Sequence, residues 1–173
     1  MQVVRLGTGE GTERRGGHDF EEVYREAGPQ LWRTLYGVCG GRTDLAEEAI
    51  AEAFARAIER GDRVRDPIAY VYRVAFRVAT QELKREGRHG ELVERAIRET
   101  PAGLPAGMED LMRALRALSP KQRAAVILRY EADLATDEVA KRMGVSAATV
   151  RVHIHRGRAK LRALLGTEEV DDA

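Results

Sequence analysis

Apolar residues recur three or four positions apart through most of this chain, in segments that glycine or proline interrupts. This spacing places them on one face of successive helices. Aromatic residues make up only 5% of the chain, and most apolar residues are Ala, Leu or Val, a mixture that favours helices over sheets. The sequence therefore predicts an all-α fold. One predicted helix, which begins at Asp44, carries a stripe of Leu45, Ala49, Ile50, Ala53, Phe54, Ala57 and Ile58.

Two stretches without this periodicity divide the chain. Residues 1–18 are rich in glycine and predict a disordered arm, whereas residues 87–107 are rich in glycine and proline and predict a flexible linker. We expect two small helical domains, residues 19–86 and 108–166, and an acidic tail at 167–173. Within the first helix, Gly28-Pro29 predicts a break or kink.

Local signals mark where several helices begin. Asp66-Pro67 combines an N-cap with a proline at the first helical position, and Ser119 and Gln122 have the spacing of a capping box. Ser146 is placed to cap the last helix, which we expect to run from Ala147 to Leu165.

The formal net charge is only +1, but the charges are unevenly distributed. Arg63–Arg88 carries a net charge of +4, and Val139–Leu165 contains seven Lys or Arg and no acid, while the segments between and before them are acidic. Solvated helix faces are the ordinary explanation of such runs. An acid-free stretch of this length in a chain with 28 acids favours two sites that hold a polyanion.

The sequence also disfavours several classes of protein. It has no apolar run long enough to cross a membrane, no signal-peptide pattern and a lone cysteine, Cys39, so we expect a soluble, cytoplasmic protein. His153 and His155 lie two positions apart on a predicted helix and point in different directions, which argues against a shared metal ion. Because the sequence has no phosphate loop and no nucleophile–base pair, we expect no enzymatic activity, cofactor or metal.

The pattern of Thr136–Ile154 predicts a helix-turn-helix. Ala140 is small where the second helix must pass close to the first, and Gly144 stands where the turn needs a positive φ. In the helix that follows, the residues expected to point inward are Val150, Ile154, Gly157 and Leu161. The opposite face has a low profile that suits entry into the major groove of DNA. Its residues are Ala148, Val152, His155 and Ala159. Its rims are formed by Thr149, Arg151, His153, Arg156, Arg158, Lys160 and Arg162.

Taken together, these segments resemble the small, two-domain sigma factors of the extracytoplasmic-function (ECF) type within the sigma-70 family. The C-terminal half resembles their region 4 in Leu118–Arg123, Val126–Tyr130, Glu138–Ala140, Gly144–Ser146, Thr149–Arg151 and His155–Leu161. The N-terminal half resembles their region 2 in Phe20–Tyr24, Ala46–Glu48, Glu52–Ala57, Asp66-Pro67, Tyr70–Ala75 and Glu82–Lys84.

The resemblance implies that the protein binds core RNA polymerase and promoter DNA. Region 2 would dock on the clamp helices of the β′ subunit through an exposed acidic and apolar surface around Phe54, with Glu47, Glu48, Glu52, Phe54 and Arg56 at the matching positions. Region 4 would touch the β flap and read the −35 element with Thr149, Arg151, Val152, His155, Arg156 and Arg158. The −10 element would be captured, with a base flipped out of one strand, by Arg63, Arg65, Tyr70, Arg73, Arg77 and Lys84.

The chain departs from the family pattern at several of these positions. Tyr70 stands in place of a Trp, and Arg77 and Gln81 stand in place of an Asn and an Asp, which predicts an unusual promoter preference. Ala51 replaces a polar residue of the clamp surface. Ala135 replaces the usual Ser, so the helix after it is expected to begin less firmly.

Two alternatives remain open from the sequence: a dimeric repressor and a metal-dependent enzyme. A repressor needs only one basic block, and an enzyme needs a cluster of ligands that the sequence lacks. The chain also has no inhibitory domain of its own, so we expect a separate anti-sigma factor to hold it inactive. The rival to that expectation is control by synthesis and proteolysis alone.

Overall fold

The structure, a computed structural model, describes residues 18–87 and 107–166. Every regular element in these two ranges is helical, which confirms the all-α prediction. The predicted linker lies, except for its end residues Gly87 and Gly107, outside the described residues, as do residues 1–17 and the tail 167–173. In chain order the helices are α1 (Phe20–Val38), α2 (Thr43–Arg60), α3 (Pro67–Gly87), α4 (Met108–Arg116), α5 (Pro120–Tyr130), α6 (Thr136–Met143) and α7 (Ala147–Leu165), with a short 3-10 turn at Gly61–Arg63.

The predicted caps form at the starts of these helices. Asp66 Oδ1 accepts a hydrogen bond from the Ala69 N–H at 2.9 Å, and Ser119 and Gln122 make the reciprocal pair of a capping box. Ser146 accepts from the Thr149 N–H at 3.1 Å. At Ala135 no side chain caps α6, as the sequence predicts. These bonds satisfy N–H groups that have no partner within the helix, and so fix where each helix begins.

Two local expectations in the N-terminal half differ from the structure. Helix α1 continues through Pro29, so the predicted break is absent. Pro29 lies on the exposed face, where water can reach the carbonyl group that loses its donor. His18, assigned to the disordered arm, lies against the fold: its Nε2 is 2.6 Å from the carbonyl oxygen of Val64, and its ring meets Phe20 edge-on.

The N-terminal helices α1–α3 pack directly on the C-terminal helices α4–α7, an arrangement that the sequence did not predict. Helix α1 lies against α5, and α3 lies against α6. Buried side chains from both halves form one continuous cluster that runs from Leu31 and Leu35 in α1 to Val139 and Val150 in the helix-turn-helix. Within the described residues, therefore, the two halves share one core.

This packing buries residues that periodicity alone did not assign to the core. Tyr72 and Phe76 of α3 are 0% and 5% exposed. Arg142 of α6 lies over the Tyr72 ring, 4.4 Å from the centroid, and a Cβ added at Gly37 of α1 would lie 2.6 Å from Ile127 Cδ1 of α5. None of the described helices is both long enough and apolar enough to span a membrane.

Candidate nucleic-acid interface

The helix-turn-helix is built as the sequence predicts. Gly144 ends α6 in the left-handed conformation, with φ 67° and ψ 37°, which a glycine adopts without steric strain. The Val145 N–H then donates to the Ala140 carbonyl at 3.1 Å, and Ser146 starts α7. Val139 and Ala140 are buried at the crossing of the two helices. The turn thus fixes the direction of α7 relative to α6.

Helix α7 buries one face and exposes the other. Val150 and Gly157 are buried, and a Cβ at Gly157 would lie 2.8 Å from Val126 Cγ2, so only glycine lets α7 pack this closely on α5. On the opposite face Ala148, Val152, His155 and Ala159 are all exposed. The predicted division of α7 into an inward and an outward face is therefore confirmed.

The cations of α7 border the exposed face. Arg151, Arg156 and Arg158 are exposed, and Arg158 also lies over the ring of Tyr130, 5.8 Å from its centroid. Thr149 is half-buried, with its hydroxyl 2.8 Å from Ser146 Oγ. Because α7 carries no acid, these guanidinium groups give the exposed face a positive potential that attracts phosphates.

His153 is distinct from the other polar residues of α7. It is half-buried, and burial lowers the pKa of its imidazole, with smaller contributions in the same direction from the nearby cations Lys121 and Arg156. No group of three or more His, Cys, Asp or Glu in the described part of the chain could hold a metal ion.

The six residues assigned to the −10 element do not share one open surface. Arg63 and Arg65 are exposed before α3, and Tyr70 is half-buried under Arg60, whose guanidinium is 5.6 Å from the ring centroid. Tyr70, Arg73, Arg77 and Lys84 follow one face of α3 at helical spacing. The middle of that face turns toward the C-terminal half: Arg73 and Arg77 line a cleft of about 310 Å³ together with Lys121 and Gly144.

The acidic surface of α2 is only partly as predicted. Glu47 and Glu48 are exposed, and Glu52 accepts a hydrogen bond from Arg56 Nε at 2.7 Å. The expectation of an exposed Phe54 is wrong, since its side chain is 9% exposed and meets the ring of Tyr24 edge-on, with 5.2 Å between centroids.

Two other apolar side chains are exposed near this surface. Tyr24 is 57% exposed and Ile58 is 61% exposed, although periodicity placed Ile58 in the buried stripe. At about 100° per residue, Phe54 and Ile58 both fall at the same edge of that stripe. Which edge residue is buried depends on the neighbouring helix, and α1 covers Phe54 through Tyr24.

Arg123 is the residue of greatest structural consequence that the sequence reasoning missed. It is 6% exposed, and its guanidinium donates to four main-chain carbonyls, those of Val38, Leu115, Arg116 and Leu118, at 2.6 to 3.1 Å. Burial lowers the pKa of the group to about 10. The available signal was its position four residues before Ile127, on the apolar face of α5.

Comparison with known proteins decides the family. Residues 23–89 match the family model for sigma-70 region 2, and residues 108–161 match that for sigma-70, region 4. The RNA polymerase sigma-E factor of Streptomyces antibioticus is 33% identical over 159 residues, which cover 88% of each chain. This chain belongs to the sigma-70 family, in its ECF group.

Other similar proteins agree with this assignment. The ECF RNA polymerase sigma factor SigE of Mycolicibacterium smegmatis is 28% identical over 166 residues, which cover 89% of this sigma factor and 64% of that protein. The fold is similar to that of the sigma factor RpoE from Bartonella quintana, crystallised in complex with the anti-sigma factor NepR. The TM-score is 0.69 at 21% identity, covering 87% of this sigma factor and 99% of that chain.

The family boundaries give the two halves their names. Helices α1–α3 form region 2 of this sigma factor, and α4–α7 form region 4. The contacts of α1 with α5 and of α3 with α6 are therefore contacts between region 2 and region 4. Arg73 and Arg77 of region 2 face the helix-turn-helix of region 4 across the cleft described above.

Proposed function

We propose that this sigma factor brings core RNA polymerase to promoters in the cytoplasm, reading the −35 element with α7 and the −10 element with α3 and the turn before it. The observation that carries the proposal is α7 itself. It is the second helix of a well-formed helix-turn-helix, and its exposed face has a low profile in the centre, is bordered by arginines and contains no acids. Groove entry with phosphate contacts on both sides requires this combination.

At the −35 element, the central residues Val152 and His155 would face base edges. Arg151, Arg156 and Arg158 would reach bases or phosphates from the rims of the groove, since a guanidinium suits both guanine and phosphate. Thr149 lies in the first turn of α7, with its hydroxyl against Ser146, where the helix N-terminus favours a phosphate.

At the −10 element, Arg63 and Arg65 would hold the backbone while Tyr70 offers a ring on which an unpaired base can stack. Arg73, Arg77 and Lys84 continue the same line of cations along α3. Arg77 and Gln81 replace the residue types usual in the family, so the preferred −10 sequence is expected to be unusual.

The β′ clamp helices would dock on α2 through Glu47, Glu48, Glu52 and Arg56, with the exposed Ile58 as an apolar contact. Phe54 supports this surface from beneath by packing against Tyr24. Region 4 would also meet the β flap. An anti-sigma factor is a further proposed partner, supported by the fold that this chain shares with a sigma factor crystallised with one.

Run-off transcription with purified core polymerase on a pool of host promoter fragments tests the proposal. We expect discrete start sites that appear only when this sigma factor is added. The double variant Arg151→Ala/Arg156→Ala should keep polymerase binding and lose starts at promoters that need the −35 element, while Arg113→Ala on α4 serves as a matched control. If the wild-type protein gives no discrete start on any fragment, the proposal fails.

A further inference from the structure

Cations from both regions line the cleft between α3 and the helix-turn-helix. Arg73 and Arg77 belong to α3 of region 2, and Lys121 belongs to α5 of region 4. The two arginines are four positions apart on one helix, which places their Cβ atoms about 6 Å from each other. The other lining residues carry no charge, namely Phe76, Thr80, Ala124, Met143, Gly144 and Val145. The packing of the two regions therefore brings three positive charges to one cleft with no acid in its lining.

The protein supplies little negative charge to offset these cations. Glu82, the first acid after Arg77 along α3, lies 2.6 Å from Arg85. Within the described residues, the side chains of Arg77 and Lys121 make no hydrogen bond or ion pair. Like charges repel when they are brought together, and an anion bound between them reverses the sign of that interaction. The charge of the cleft thus favours an anionic ligand.

The hydrogen-bond donors that the lining leaves free belong to the same cations. Thr80 Oγ1 donates to the Phe76 carbonyl at 2.6 Å, and the Val145 N–H donates to a carbonyl of α6 at 3.1 Å. Arg73 Nη1 lies 3.4 Å from the Lys141 carbonyl, which leaves most N–H groups of that guanidinium available. Guanidinium and ammonium groups with free donors are the groups that bind phosphate oxygens in proteins.

The charge and volume of the cleft indicate the class of anion. A diphosphate group joined to an organic part carries about three negative charges at neutral pH, since its terminal phosphate has a second pKa near 6. Three cations match that charge. The volume of about 310 Å³ lies at the lower end of the range of small-molecule sites, about 300–1,000 Å³. Phe76, Met143 and Val145 provide apolar surface for an organic part.

We infer that this cleft binds a small molecule with a diphosphate group, held by Arg73, Arg77 and Lys121. A DNA duplex is too wide to enter a cleft of this volume, whereas pyrophosphate and nucleoside diphosphates have the required size and charge. The same two arginines are proposed contacts of the −10 element, so the ligand would compete with promoter DNA for them. That consequence rests on the proposed function, but the binding itself does not.

Isothermal titration calorimetry on the full chain, without DNA or polymerase, tests the inference. The probes are pyrophosphate, ADP and GDP, and sulfate at the same ionic strength is the reference for unspecific anion binding. We expect one pyrophosphate per chain to bind saturably, at least about tenfold more tightly than sulfate. Tighter binding of ADP or GDP than of pyrophosphate would identify the ligand as a nucleotide, and the reverse order would identify it as the free diphosphate.

Substitutions locate the site. Arg77→Gln and Lys121→Gln each remove one charge, the first from region 2 and the second from region 4, and each should weaken pyrophosphate binding about tenfold. Arg113→Gln, at an exposed cation of α4 outside the cleft, changes the net charge by the same amount and should leave the affinity unchanged. Thermal unfolding of each variant without ligand verifies that it is folded.

Two results would overturn the inference. One is the lack of saturable binding of all three diphosphate probes to the wild-type protein. The other is an equal loss of affinity in Arg113→Gln, Arg77→Gln and Lys121→Gln, which would show unspecific attraction to the net charge. If no diphosphate probe binds but a short single-stranded oligonucleotide does, with weaker binding only in Arg77→Gln and Lys121→Gln, the cleft is a nucleic-acid site instead.

Discussion

The guanidinium of Arg142 lies over the ring of Tyr72, 4.4 Å from its centroid, and so joins region 4 to the centre of α3. The Tyr72 side chain is fully buried, and burial raises the pKa of its hydroxyl. That hydroxyl lies near Thr34 and Arg142 but makes no hydrogen bond of good geometry. The contact is therefore electrostatic and apolar, with one buried polar atom left unsatisfied.

Tyr72→Phe should keep the contact and remove the unsatisfied atom. We expect the free energy of unfolding to rise by up to about 1 kcal/mol, because an unpaired buried hydroxyl is unfavourable. Urea unfolding measures it, with Tyr130→Phe at an exposed ring as the control. A loss of stability in Tyr72→Phe would show that the hydroxyl has a hydrogen-bond partner.

Arg123→Met should destabilise the protein by about 2–4 kcal/mol, because it removes donors from buried carbonyls while keeping much of the side-chain volume. Arg129→Met, on the same helix but half-exposed, should change the free energy of unfolding by less than about 0.5 kcal/mol. Chemical denaturation measures the free energy of unfolding of both variants. Equal effects would mean that the four carbonyls find other donors.

Gly157→Ala should destabilise the helix-turn-helix by about 1–3 kcal/mol despite the better helix propensity of alanine. Its Cβ would lie 2.8 Å from Val126 Cγ2 and 3.3 Å from Leu118 Cδ2, and α7 must move away from α5 to make room. Gly28→Ala, with an ordinary contact only, should be neutral or stabilising. A variant at position 157 as stable as this control would contradict the close packing of α7.

Arg151→Ala and Arg156→Ala should each weaken binding to −35 DNA without changing the affinity for polymerase. A guanidinium that meets a base edge contributes about 1–3 kcal/mol and sets the preference at one position. Loss of a guanidinium that meets phosphate instead lowers affinity evenly across sequences and reduces the slope of log affinity against log salt concentration by about one. Binding to a library of −35 variants at several salt concentrations separates these outcomes, and no change in either variant would place the DNA elsewhere.

The lowered pKa of His153 predicts that the folded protein loses stability in mild acid. Its pKa is lowered in the folded state, so the unfolded chain binds the proton more readily. The contribution of the neutral His153 imidazole to the free energy of unfolding is fully present above pH 6.5, the ordinary pKa of histidine. It declines as the pH falls from there toward the lower pKa of the folded state. His153→Gln should flatten the dependence of the unfolding free energy on pH in that window, and a parallel curve for the variant would contradict the assignment. His155, which is exposed, provides the control substitution His155→Gln.

The helix-turn-helix was predictable because its signals are local. Gly144, Ser119 and Ser146 act on residues within one turn, so their roles follow from sequence spacing alone. Periodicity placed both Phe54 and Ile58 in the stripe of α2, and it could not show that only Phe54 is buried, because both lie at the edge of that stripe and a different helix covers Phe54. The −10, −35 and polymerase contacts remain predictions.

The packing of region 2 on region 4 could not be inferred from any local pattern. The hydrogen bond from Arg123 to Val38 joins residues 85 positions apart, and nothing near either residue indicates the other. The same holds for Tyr72 and Phe76, whose burial depends on a helix that follows much later in the chain.

The continuous cluster of buried side chains has a consequence for how the protein unfolds. Because the cluster passes from α1 through α3 into the helix-turn-helix, the chain with its two regions packed together is one cooperative unit rather than two independent ones. On separation, each region would retain only part of that cooperativity and expose apolar surface on α3 and α5. A molecule whose two regions have separated is therefore the form most exposed to proteases and to aggregation.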